Sequence, residues 1–200
     1  FCLEGSLFNA GTVIQWLRDG LQIIDQAPQV NELARSVPDS GGVMLVPAFT
    51  GWGTPHWDPQ ARGVLVGLTR DSGRGHIARA ALEGIALSVA TLVELAEQAL
   101  GSGLGELAVD GGAAASDPLL QAQADCTGLT VRRPASLEST ARGVALFAGL
   151  QAGVISDLEQ LATARRDGAE LFHPQMDASQ RDRWRTRWQD AVSRSLGWHG

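Results

Sequence analysis

Apolar positions recur along this chain with a helical period in some stretches and in short continuous runs in others. In Ala10 to Ile24, the residues Val13, Ile14, Leu17, Leu21 and Ile24 share one helical face, which predicts a helix over that segment. The opening residues FCLEG read as part of a strand. Pro28 to Ser40 is polar and turn-rich, and the run GVMLVPAF after it predicts a buried strand that runs out at Pro47. A loop from Thr50 to Gly63 carries glycines, prolines and tryptophans, and is longer than most connections in a compact domain. From His76 to Leu100 the spacing of Ile77, Ala81, Ile85, Leu92, Leu95 and Ala99 predicts a long helix stopped by Gly101. Many of its other positions are Ala or Gly, which permits close packing.

The second half alternates. A strand in LGELAV is followed by the turn AVDGGAAASD, a helix in LLQAQADCTG, a strand in LTVRRP, a helix in STARGVALFAGLQAG and a short segment near Leu158. Strands alternating with helices predict an α/β domain with parallel strands and helical crossovers. A last helix, at about 177–197, sets Trp184, Trp188 and Val192 four residues apart, a stripe suited to docking on the domain. Arginines at 181, 183, 185 and 187 lie between them, but Asp182 and Asp190 dilute the charge, so a nucleic-acid helix is disfavoured.

Composition narrows the classes. The 200 residues carry 22 acidic and 16 basic side chains, a net charge of −6, so no global bias toward nucleic acid or anionic membrane exists. The stretch Gly143 to Ile155 is interrupted by Gln151 and is short of the roughly 20 apolar residues that span a bilayer. The two cysteines, Cys2 and Cys126, suggest neither a disulfide framework nor a zinc site, and a reducing cytoplasm is the expected setting. The chain opens on Phe1, in a strand-like segment with no earlier partner, and is expected to be a fragment of a longer protein.

Few motifs carry chemistry. The glycines of GSGLG, Gly101 to Gly105, follow a helix and precede a strand, the reverse of a dinucleotide fingerprint, and read as a helix stop. No G-x-x-x-x-G-K-[ST] loop and no G-x-S-x-G elbow occurs. The histidines at 56, 76, 173 and 199 lack metal-ligand spacing. The turn AVDGGAAASD admits two readings: a bend that needs positive φ, or backbone left bare so that an anion can reach the N–H groups of Gly111 and Gly112 where a helix begins. Its place after a strand and before a helix favours the second. Asp110 would then orient the turn or cap the helix.

Several segments together resemble a known family. EGSLFNAGTVIQWLRD, VPAFTGWGTPHWDPQARGVLVGLTR, HIARAALEGIA, VDGGAAAS and FHPQM are similar to the C-terminal half of the FGGY carbohydrate kinases, and Gly63 to Glu83 is similar to their long C-terminal signature. The first two segments, with FHPQM in support, favour the glycerol-phosphorylating branch over the xylulose and gluconate branches. The resemblance implies an α/β fold of ribonuclease H-like, actin-like ATPase type, truncated at its N-terminal edge. Residues 1–200 would form the nucleotide-binding domain, while the domain that holds glycerol, and the general base with it, would lie upstream of Phe1. It further implies ATP and Mg²⁺ as cofactors, a Mg²⁺-bound water within reach of Asp110, ATP or ADP at Gly11, Gln15, Gly111, Gly112 and Ser116, and a cytoplasmic homo-oligomer that binds no nucleic acid and has no membrane span. Ser116 stands where relatives often carry Asn, a departure that shortens the hydrogen-bonding group. The fragment alone is expected to be inactive. The alternatives are a kinase of another polyol or sugar such as xylulose, and a nucleotide-binding relative without catalysis.

Overall fold

Helix α3, Arg74–Leu100, runs through the middle of the molecule because its apolar positions surround it on most sides. Leu82, Ile85 and Leu87 are each buried, and with Ala78, Ala81 and Ala86 they join one main core. By length and mean hydropathy this helix could cross a bilayer, but 67% of its most apolar window is buried within the molecule. Its small residues permit close approach. A Cβ on Gly84 would lie 2.1 Å from the carbonyl oxygen of Leu45, so strand β1, Met44–Val46, touches the helix where no side chain intervenes. Strand β2, Val64–Val66, pairs antiparallel with β1, Met44 opposite Val66. The structure is a computed structural model that describes residues 2–155 and 168–198.

The first helix is shorter than its pattern predicts. Helix α1 spans Gly11–Asp19, with Val13, Ile14 and Leu17 buried. Gln22 takes φ 54°, a left-handed conformation that a helix cannot pass through, and the chain turns there. Ile24 still reaches the core from outside the helix, whereas Leu21 is exposed. Residues 2–7 form no strand; Ser6 instead donates its N–H to Thr54 Oγ1 (3.0 Å) and accepts from the Thr54 N–H (3.0 Å). Within the stretch read as turns, helix α2 forms over Gln29–Arg35 and buries Val30 and Ala34. Seven residues show too little periodicity to be read as a helix.

Beyond α3 lies a second sheet, of three strands. Strands β3, Glu106–Ala108, and β4, Thr130–Arg133, pair in parallel, joined by helix α4, Asp117–Thr127, and strand β5, Glu170–Phe172, adds antiparallel to β4. The alternation therefore yields one parallel crossover among the described residues rather than a wholly parallel sheet. Helix α4 is buried on two sides: Leu119, Ala122 and Cys126 meet the main core, while Leu120 and Ala124 pack with Val131 in a second cluster. Helix α5, Ser139–Gln151, buries none of its residues. Helix α6, Ala178–Ser193, starts at an Asp177 and Gln180 capping box and buries Trp188 and Val192 with Trp184 half-buried, as the stripe predicts. The segment expected near Leu158 lies outside the described residues.

Candidate phosphate-binding turn

Strand β3 ends in the sequence Val109-Asp110-Gly111. Val109 extends the pairing by donating to Arg132 O (3.0 Å), and Gly111 then takes φ 80°, which lets the chain leave the sheet at once. A single 3₁₀ turn, Gly112–Ala115, follows, and only then does α4 begin. The spare donors consequently differ from those the sequence suggests. The N–H of Gly111 is already bonded to Leu137 O (2.9 Å), and Ala114 donates back to Gly111 O (3.0 Å). Gly112 and Ala113 open the turn, so their N–H groups have no acceptor within it. The bare donors are thus displaced one residue along the chain.

Side chains hold this turn from three elements. Arg133, at the end of β4, donates to Ala114 O (3.1 Å), meets Asp117 at 2.8 Å and pairs with Glu170 of β5, and its guanidinium lies 5.1 Å from the centre of the Phe172 ring. Arg35 of α2 reaches the same Asp117 at 3.2 Å. Ser116 is buried; its Oγ caps α4 by accepting from the Leu119 N–H (3.3 Å) and donates to Asn31 Oδ1 of α2 (2.5 Å). Because the hydroxyl has a single proton, a phosphate oxygen at Ser116 Oγ would have to displace the bond to Asn31. Neither Arg133 nor Asn31 was singled out by the sequence, since a lone residue at a strand end or in a short helix carries no pattern.

Asp110 does not cap a helix. The 3₁₀ turn starts from Gly111 and α4 from Ser116, leaving the Asp110 carboxylate exposed at a cleft of about 250 Å³ that it shares with Arg132, Ser136, Ser139 and Arg142. Among the described residues no cluster of three or more acidic, His or Cys side chains could hold a metal. One exposed carboxylate suits contact through a metal-bound water, because Mg²⁺ keeps several waters and takes its other ligands from phosphates.

Gly11 and Gln15 sit a turn apart on α1, both exposed. The helix opens at Ala10 with no side chain capping it, while Asn9 just before is buried, bonded to Thr50 Oγ1 (3.2 Å) and to Thr12 (3.4 Å). Close packing does not explain Gly11: a Cβ there would meet nothing within 4 Å, and the same holds at Gly112. Neither residue has positive φ. Ala10 and Ala113, their chain neighbours, pack on the same core, so both openings rest on one core. The aromatic loop divides: Trp52 is buried against Trp188 (6.0 Å between ring centres) with His56 on its edge (5.8 Å), and Trp57 points outward beside Phe8.

A strand, a glycine turn and a braced helix behind it together form one parallel βα unit of an α/β domain. Residues 1–152 match the C-terminal domain of the FGGY family of carbohydrate kinases, and the chain belongs to that family. Over 99% of its length it is 52% identical to a glycerol kinase of Aromatoleum aromaticum and 51% identical to one of Citrifermentans bemidjiense. It spans 40% of the length of each. The crystal structure of Plasmodium falciparum glycerol kinase with ADP superposes with a TM-score of 0.84 at 30% identity, over 93% of this chain and 37% of that one. A xylulose kinase from Lactobacillus acidophilus, 23% identical with a TM-score of 0.70, shares the fold. That fold is the actin-like, ribonuclease H-like ATPase architecture of FGGY kinases.

Proposed function

We propose that this chain forms the nucleotide side of an ATP-dependent glycerol kinase. The observation that carries the reading is the pair of unneeded glycines: Gly11 and Gly112 each open a helical turn, and neither packing nor φ requires glycine there. Bare amides at such a place suit phosphate oxygens. The similarity to glycerol kinases at about half identity supports the substrate.

In the whole enzyme the γ-phosphoryl group of ATP passes to a terminal hydroxyl of glycerol. The bond from phosphorus to the β,γ-bridging oxygen breaks, the bond to the glycerol oxygen forms, and the hydroxyl proton goes to a base outside this chain. Such a transfer needs positioning and charge stabilisation more than covalent help. The Gly112 and Ala113 amides would donate to phosphate oxygens from a turn held by Arg133 and the Ser116 cap. Gly11 and Gln15 would hold the nucleotide from the α1 side. Mg²⁺, carried in on the nucleotide, would neutralise phosphate charge, with Asp110 accepting from one of its waters.

The test is a chimera in which this chain replaces the matching region of a full-length glycerol kinase, assayed for ADP release with Mg·ATP against glycerol, xylulose and gluconate. Preference for glycerol is expected. Gly112→Val should raise the KM for ATP tenfold or more, about 1.4 kcal/mol of lost binding, with an unchanged circular dichroism spectrum. Unchanged kinetics in Gly112→Val would overturn the site, and preference for another sugar would overturn the substrate.

A further inference from the structure

On the side of α3 that faces α6, the aromatic loop closes a pocket of about 150 Å³. Its walls are apolar: Trp52 from the loop, Leu87 and Ala90 from α3, Trp188 and Val192 from α6, and Leu196 beyond it. These walls are set. Both tryptophans are buried, their rings 6.0 Å apart, and Trp188 is pinned by its indole N–H to Thr91 Oγ1 (3.2 Å).

One edge of the pocket is polar. Arg185 meets Glu94 Oε1 at 2.8 Å, and its other nitrogens donate to Cys126 O (3.0 Å) and Thr127 O (3.3 Å), the last carbonyls of α4. The guanidinium is thereby committed to closing α4. The Glu94 carboxylate is not: the pair to Arg185 uses one of its oxygens, and a carboxylate has lone pairs for further donors. A single flat ring fits this volume, and indole walls favour an aromatic guest in edge or offset contact.

We propose that this pocket binds a small aromatic molecule, one flat ring bearing a hydroxyl or N–H that donates to Glu94. None of the residues assigned above to the nucleotide takes part in it, so the site stands or falls independently of the kinase reading. Phenol is the probe, because it has one ring and one donor and fits the volume.

The experiment titrates the chain with phenol and with benzene while following the tryptophan indole N–H resonances by NMR, with Trp188→Phe identifying the Trp188 signal. Saturable movement of that signal is expected, with a phenol Kd at or below about 1 mM, reasonable for seven heavy atoms in a half-open apolar pocket. Benzene should bind at least threefold more weakly, lacking the donor. Ala90→Leu should fill the pocket and abolish the shift. Should that variant fail to fold, Ser193→Leu at the exposed mouth should weaken phenol binding tenfold or more without burdening the core. Linear, non-saturating shifts up to the solubility of phenol, or equal binding by the folded filling variants, would overturn the site. Equal affinity for benzene would overturn the role of Glu94.

Discussion

Two adjacent glycines differ in what they do. Gly111 holds φ 80° with ψ 173°, an extended positive-φ conformation essentially reserved for glycine, whereas Gly112 has ordinary φ and open space around it. Gly111→Ala should therefore lower stability by about 1–2 kcal/mol, while Gly112→Ala should change it by less than about 0.5 kcal/mol. Urea denaturation of the two variants beside the parent checks this, and equal losses would mean that the turn is held otherwise. The sequence marked the pair as a unit. Only the backbone path separates a residue that bends the chain from one that leaves room at its surface. The same holds for Ser116, legible as a polar residue near a helix start, yet turned by its bond to Asn31 into a brace between α2 and α4.

Between elements, the contact of α3 with β1 decides the most. The two approach through Gly84, where a methyl group would overlap Leu45 O at 2.1 Å, and the backbone on both sides is buried and paired. Gly84→Ala should cost at least about 2 kcal/mol, since helix and strand must separate to relieve the overlap and the core loses packing with them. A lowered urea midpoint with an unchanged slope is the expected result. A neutral substitution would show that α3 slides freely on the sheet. The long helix was plain from its spacing. That Gly84 is its point of closest approach was not, because glycines at several positions of an alanine-rich helix look alike until a partner strand is in place.

For the molecule as a whole, stability should carry the mark of Glu83. This carboxylate is buried, and burial pushes its pKa above the ordinary 4.5; the Arg79 guanidinium at 2.7 Å opposes the rise without cancelling it. A carboxyl raised in the folded state is protonated there while the unfolded chain has already ionised. Its contribution to stability is thus favourable at low pH and is lost as pH climbs from the unfolded value through the raised folded one. Glu83→Gln should flatten the fall in unfolding free energy between about pH 4 and the raised value, read from urea curves at successive pH. Parallel curves for parent and variant would show that Arg79 fully offsets the burial.

What the sequence by itself determined is the local order: the α3 helix, though it is buried on most sides rather than on the one face its spacing suggests, with Ala99 exposed, the α6 stripe, the strand in GVMLVPAF, the stop at Gly101, and the strand, glycine turn and helix around Asp110. These rest on periodicity and on residues with special backbone freedom, properties that near neighbours in the chain decide. The family, too, was legible, in a signature spread over Gly63 to Glu83. Tertiary structure decided the rest. It ended α1 at Asp19 by turning the chain at Gln22, made a helix of Gln29–Arg35, and paired β5 antiparallel where a crossover pattern suggests parallel strands. It gave Gly111's amide to Leu137 and left those of Gly112 and Ala113 without an acceptor in the turn. The physical reason is that a hydrogen bond or a close contact depends on which distant residues arrive, and a linear pattern carries no distances across the fold.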